Sequence, residues 1–223
     1  MSASGGPDLV TNGLVLCLDA ADKQSYSGSG TIWRDLAGSN NGTLTNGPTY
    51  NSANGGSIIF DGADDFVQCL GSITVTDATF VTWIRRNGNQ GTYDGILYSR
   101  GTNTTGMSFY SSNQLGYTWN DAGNTYGWSS GLTIPNLTWC MVAISVTSTA
   151  ATAYLCESSG ITSATNTVSH ASSLLDDIKI GIDEYENRCF TGNIATAMIY
   201  NRALSANEIL QNYKSLKGRF LLT

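Results

Sequence analysis

The sequence predicts an all-β protein, built as a two-sheet antiparallel sandwich with one short C-terminal helix. Three observations carry this. Short runs rich in β-branched and aromatic residues recur along the chain, separated by clusters of Gly, Asn, Asp and Ser. One capping box heads an apolar helical stripe, and it lies near the end of the chain. No stretch of 20–50 residues repeats, which sets aside propellers and solenoids. The length of 223 residues suits one such unit, since all-β sandwiches run to about 250 residues as single domains.

The elements follow in order. Leu14–Leu18 is a continuous apolar run, the pattern of a strand covered on both faces. Ile58-Ile59-Phe60 follows the turn-forming Asn54-Gly55-Gly56, and Phe66-Val67-Gln68-Cys69 begins after a Gly/Asp cluster. Thr79–Ile84 is rich in β-branched and aromatic residues and ends at the loop Asn87–Gly91. Ile96–Tyr98 and Met107–Tyr110 are shorter. In Leu115–Trp119 the alternation places Leu115, Tyr117 and Trp119 on one face. Trp139–Val146 and Ala151–Leu155 flank the polar turn Thr147-Ser148-Thr149 and read as a hairpin. Ile178–Ile182 alternates well, and Ile194–Tyr200 is the last strand. Ser205 and Glu208 then form the capping box, with Ile209, Leu210, Tyr213 and Leu216 on one face and Gly218 as terminator. Residues 1–8 read as a flexible arm and residues 9–223 as a single domain.

Composition removes whole classes of function. Charged residues make up 13% of the chain, against about 25% in an average domain. The net charge is −6 and the basic residues are scattered, so no stripe exists to neutralise nucleic-acid phosphates. Apolar runs fall short of the ~18 residues of a membrane span, so no membrane insertion is expected. The N-terminus is small, polar and acidic, without a signal peptide; synthesis in a cytoplasm is the expectation. Five cysteines, an odd number with no CxxC, read as free thiols packed as small hydrophobes.

Several ordered motifs carry a family resemblance. Phe60-Asp61-Gly62-Ala63-Asp64-Asp65-Phe66-Val67, Phe80-Val81-Thr82-Trp83-Ile84, Gly95–Gly101, Trp139–Ala143 and Phe190–Ile194 with Ile199–Ser205 together resemble concanavalin A-like, laminin G-like domains. The resemblance spans Leu9 to Phe220 and implies a jelly-roll sandwich. It is weak for function, because one fold hosts many. The carboxylates that many relatives carry after the "FxGxI" element are replaced here by Ala195, Thr196 and Ala197. The opening Asp8–Leu16, Asn41–Pro48, Leu115–Asp121 and Gln211–Phe220 are similar to a variant found in virion structural proteins of tailed bacteriophages. That likeness implies a capsid decoration or head/tail appendage protein on the virion surface, made in the host cytoplasm. Its partners would be other virion proteins, capsid or tail, with the chain present as a homo-oligomer or in repeated copies.

The candidate sites each have a plainer alternative. Tyr117, Trp119, Tyr126 and Trp128, interleaved with Asn120 and Asp121, offer aromatic faces and polar partners for a sugar, such as a host surface glycan; the alternative is that the aromatics pack inward. Asp61, Asp64 and Asp65, with Asp19 and Asp22 as possible additions, suit a structural calcium ion or simply hydrogen-bond turn amides. Asp183, Glu184 and Glu186 lack the spacing of a glycosidase acid set and read as a solvated charge cluster. His170 stands alone, with no nucleophile elbow, and reads as a surface or capping residue. No acid/base pair with enzymatic spacing emerges, so a non-enzymatic protein is expected. The two readings are a virion structural protein acting through protein contacts and, as the alternative, a carbohydrate-binding, lectin-like module.

Overall fold

A computed structural model describes residues 7–183, 185 and 188–222. Residues 1–6 of the expected arm, together with Glu184 and Glu186, lie outside the described residues. The strands in chain order begin with β1 (Leu14–Asp19), β2 (Ile32–Trp33), β3 (Gly42–Thr45), β4 (Thr49–Asn51), β5 (Ser57–Asp61), β6 (Phe66–Val75), β7 (Ala78–Arg86) and β8 (Gly95–Arg100). They continue with β9 (Thr104–Tyr110), β10 (Gln114–Thr118), β11 (Cys140–Val146), β12 (Ala151–Glu157) and β13 (Gly160–Asn166). The last are β14 (Ser173–Ile180), β15 (Ile182–Asp183), β16 (Arg188–Cys189) and β17 (Thr191–Tyr200).

Two antiparallel sheets stack, as the sequence predicts. The first has the order β13-β12-β11-β7-β17-β5-β4, with β1 also on β17. β17 is long enough to serve two partners end to end: Thr191–Ile194 pair with β5, and Thr196–Tyr200 with β1. The second sheet runs β10-β9-β8-β14-β6-β3-β2. Between them lies the main core, including Leu16, Phe60, Phe80, Phe109, Tyr117 and Trp119. Phe190 stacks on Phe109 at 5.9 Å and meets Phe60 edge-on at 6.0 Å.

A second apolar layer covers the outer face of the first sheet. Helix α1 (Gly123–Tyr126) is a single turn after β10, whereas helix α2 (Ala206–Leu216) and the 3-10 turn Lys217–Phe220 pack here on Trp83, Met141 and Tyr200. The capping box is formed: Glu208 N–H donates to Ser205 Oγ, and Ser205 N–H donates to Glu208 Oε2. Arg202 pairs with the same carboxylate, and these contacts hold Glu208 down to about 2. Gly218 does not stop the helix as expected. The chain tightens into the 3-10 turn and ends on Leu221 at φ 57°, because Phe220 is drawn into the apolar layer. All five cysteines are free and buried, as expected.

The expectations for β6 and β14 were too short, and β13 was not foreseen. Gly160–Asn166 is an edge strand with mostly exposed Thr and Ser side chains, so it carries little apolar signal. His170 is not at the surface. It is buried, with Tyr117 Oη 3.0 Å from Nε2 and the Thr147 carbonyl 2.9 Å from Nδ1. Burial lowers its pKa from 6.5. The unfolded chain therefore takes up a proton that the folded chain resists. Its contribution to stability is complete above about pH 6.5 and is lost as pH falls below that value. Urea unfolding between pH 7 and 5 checks this: stability should decline with acidification, and His170→Gln should flatten that decline.

Candidate functional site

Alternation along the second sheet turns Leu97, Met107, Leu115 and Tyr117 to the core. The opposite face then receives Tyr98, Arg100, Thr118 and Lys179. At one end of that face three segments rise around Tyr98 to enclose an open cleft of about 380 Å³. They contribute Tyr93, then Asp121 and Tyr126, then Tyr185 and Arg188.

Each residue has a local reason for its place. Tyr98 lies low on the sheet because its neighbour on β9 is Gly106; a Cβ there would stand 2.6 Å from Tyr98 Cα and 2.8 Å from its ring. The Tyr98 hydroxyl donates to Thr118 Oγ1 at 2.6 Å, and burial raises its pKa. Tyr93 adopts φ 77°, a costly conformation for a bulky residue. It is held there by its N–H donating to the Phe109 carbonyl at 2.8 Å. Asn120 and Asp121 are also left-handed, at φ 50° and 54°. Their amides donate to Thr105 Oγ1 and the Thr104 carbonyl, which leaves Asp121 exposed at the cleft.

Asp183 anchors the cationic wall. The short ladder of β15 and β16 sets it opposite Arg188. Its carboxylate accepts from Arg100 Nε and Nη2, the latter at 2.8 Å, and from Arg188 Nη1 at 3.2 Å. Its side chain is fully buried. This overturns the expectation that Asp183 belongs to a solvated cluster. The two guanidiniums lie over tyrosine rings: Arg100 over Tyr98 at 5.6 Å, Arg188 over Tyr93 at 4.8 Å, and both over Tyr185 at 5.1 Å. Tyr126 meets Tyr93 edge-on at 6.0 Å. Asp94 lies behind this wall, its pKa raised first by burial and held back by the Gly91 amide.

The residues expected to bind sugar are divided. Asp121 and Tyr126 line the cleft. Tyr117 and Trp119 do not: each is 2% exposed and belongs to the core, because Leu115 on the same face goes inward. The Trp119 indole donates to the Ala171 carbonyl at 2.6 Å, and the Asn120 side chain donates to the Ser172 carbonyl at 3.0 Å. Trp128 is half-buried and packs edge-on against Tyr117 at 5.8 Å. Sequence reasoning missed Tyr93, Tyr98, Arg100, Tyr185 and Arg188. The one local signal was the cation Arg100 ending an otherwise apolar strand.

Asp61, Asp64 and Asp65 bring carboxylate oxygens within 4.8 Å of one another. Asp65 accepts from the Asp61 amide at 3.0 Å, and its pKa is raised, first by burial and also by the other two carboxylates. Asp19 and Asp22 are engaged elsewhere: Asp19 pairs with Arg219 at 2.7 Å, and Asp22 accepts from the Gln24 amide. The positions where relatives carry acids, Ala195 to Ala197, are buried within β17.

The sequence profile of the concanavalin A-like lectin/glucanases superfamily matches residues 60–210, and the chain belongs to that family. Comparison with curated proteins gives no match. Among solved structures, the chain is similar to Trypanosoma rangeli sialidase in complex with sialic acid. The TM-score is 0.67 at 16% identity, over 98% of this chain and 37% of the sialidase, so it spans little more than a third of that enzyme. It is also similar to domain 4 of AbnA, an extracellular GH43 arabinanase from Geobacillus stearothermophilus, in complex with arabinotriose. There the TM-score is 0.64 at 16% identity, over 91% of this chain and 98% of that domain. The binding domain of Paraclostridial Mosquitocidal Protein 1 gives a TM-score of 0.62 at 13% identity, over 92% and 52%. These likenesses show the fold.

Proposed function

We propose that this domain binds carbohydrate in the tyrosine–arginine cleft of the second sheet. The observation that carries the reading is the convergence of Tyr93, Tyr98, Tyr126 and Tyr185 with Asp121 and two anchored guanidiniums. Aromatic rings suit the C–H faces of a pyranose or furanose, and the carboxylate and side-chain hydroxyls suit its hydroxyls. Among the described residues, Arg100 and Arg188 stand against the buried Asp183 and the exposed Asp121, which favours a neutral sugar. A structural neighbour of domain size that was solved with arabinotriose lends support.

The cleft binds without cleaving in this reading. Asp183 is committed to two arginines and cannot move a proton without breaking them. A place on a virion surface, with virion proteins as partners, rests on the sequence motifs alone; a domain displayed there would hold a host glycan through this same cleft. The Asp61, Asp64 and Asp65 trio would take calcium, since its hard oxygen donors suit that ion. If so, millimolar calcium raises the melting temperature and Asp64→Asn removes the rise; an unchanged melting temperature removes the ion from the account.

A glycan panel tests the function, followed by calorimetry on the best ligand. Tyr126→Ala and Asp121→Asn should each weaken binding about tenfold or more, a loss of ~1.4 kcal/mol, with unfolding unchanged because both side chains are exposed. Absence of any binding glycan, or full affinity in both variants, ends the proposal.

A further inference from the structure

We propose a second and independent ligand site on the opposite sheet, a polar groove that takes a carboxylate-bearing sugar. Helix α2 and the 3-10 turn cover the outer face of the first sheet over Trp83. Beyond Trp139 the face opens into a groove of about 350 Å³, lined by Asn51, Asn54, Ser57, Arg85, Trp139 and Asn193. The ladders fix the spacing of its floor: Arg85 is the cross-strand partner of Asn193, and Asn51 that of Ser57.

Asn193 is the central observation. It sits mid-sheet on β17, between β5 and β7, and is 9% exposed. Its amide nitrogen donates to Ser57 Oγ at 3.1 Å, while its side-chain carbonyl accepts no hydrogen bond from the described residues. That oxygen is not sealed in the sheet but opens into the groove that Asn193 lines, where it offers an acceptor. A ligand hydroxyl entering the groove would meet it.

Arg85 supplies the charge. Its Nε donates to the Leu137 carbonyl at 3.1 Å, and it forms no ion pair among the described residues. Nearby Arg219 is already spent on Asp19 and the Asn54 and Gly56 carbonyls. Among the described residues no carboxylate lines the groove, whereas Asp121 lines the cleft on the other sheet. A guanidinium with free Nη donors is the group that grips a carboxylate in two-pronged fashion. Trp139 forms the wall: its indole donates to Asn54 Oδ1 at 3.2 Å and packs on Phe220 at 4.6 Å. An indole, amides and one unpaired guanidinium together describe a sugar with an acid group, of the uronate or sialate type.

The test is chemical-shift mapping of the full chain titrated separately with sodium glucuronate, N-acetylneuraminate, glucose and acetate. One acidic sugar or both should shift the Trp139 indole N–H and the Asn193 side-chain amide, and which does so tells uronate from sialate. Glucose and acetate at equal concentration should not. Arg85→Gln should weaken the response about tenfold or more. Asn193→Asp, which sets a carboxylate against Arg85, should do the same, with the melting temperature of each variant recorded. Tyr126→Ala should leave the response intact, which separates this site from the cleft. No shift at Trp139, an equal response to acetate, or unchanged binding by Arg85→Gln would overturn the proposal.

Discussion

Asp183→Asn should lower the unfolding free energy by about 3 kcal/mol and loosen the hold on Arg100 and Arg188 in the cleft wall. The carboxylate is fully buried and serves both guanidiniums, so the isosteric amide removes a counter-charge they share. The guanidinium side chains keep 24% and 22% of their surface. Water therefore tempers the loss toward the lower end of the 3–5 kcal/mol seen when a buried pair is broken. Urea unfolding with an unchanged m-value would report it as stability alone. Glycan affinity should fall together with stability, because Tyr185, Tyr93 and Tyr98 take their positions against those guanidiniums. A variant as stable as the parent would show that the ion pairs are not formed in solution.

Phe220→Ala should cost about 3–5 kcal/mol, the range for deleting a core phenylalanine. The ring is 4% exposed and stacks on Trp83 at 4.3 Å while touching Trp139 at 4.6 Å. It closes the apolar layer of the first sheet and also supports the wall of the second groove. Phe220 is thus a part of this domain's own core. Leu221, adjacent and 83% exposed, is the control: Leu221→Ala should stay within about 0.5 kcal/mol. Thermal or urea denaturation of the two variants side by side checks the pair, and equal stability would contradict the packing described.

Much of the fold was legible because its signals are local. The apolar run at Leu16, the alternation at Leu115 and the capping box at Ser205 each involve neighbours in sequence. The site was far less legible. Its residues arrive from four separate segments, around Tyr93, Tyr98, Asp121 and Arg188, and only the second sheet brings them together. Alternation correctly placed Tyr117 and Trp119 on one face, but period two does not say which face is inward; their companion Leu115 was the deciding clue. Asp183 looked like one of several solvated acids because its partner Arg100 lies 83 positions away. His170 offered no sign of burial either, since its support comes from Tyr117 and the Thr147 carbonyl.

Chemical-shift mapping with a neutral oligosaccharide taken from the glycan panel tests the central claim most directly. The account predicts shifts concentrated on Tyr93, Tyr98, Thr118, Asp121 and Tyr126, with the core residues Tyr117 and Trp119 responding only weakly. Shifts confined to another face of the sandwich, or no shifts with any sugar in the panel, would contradict it.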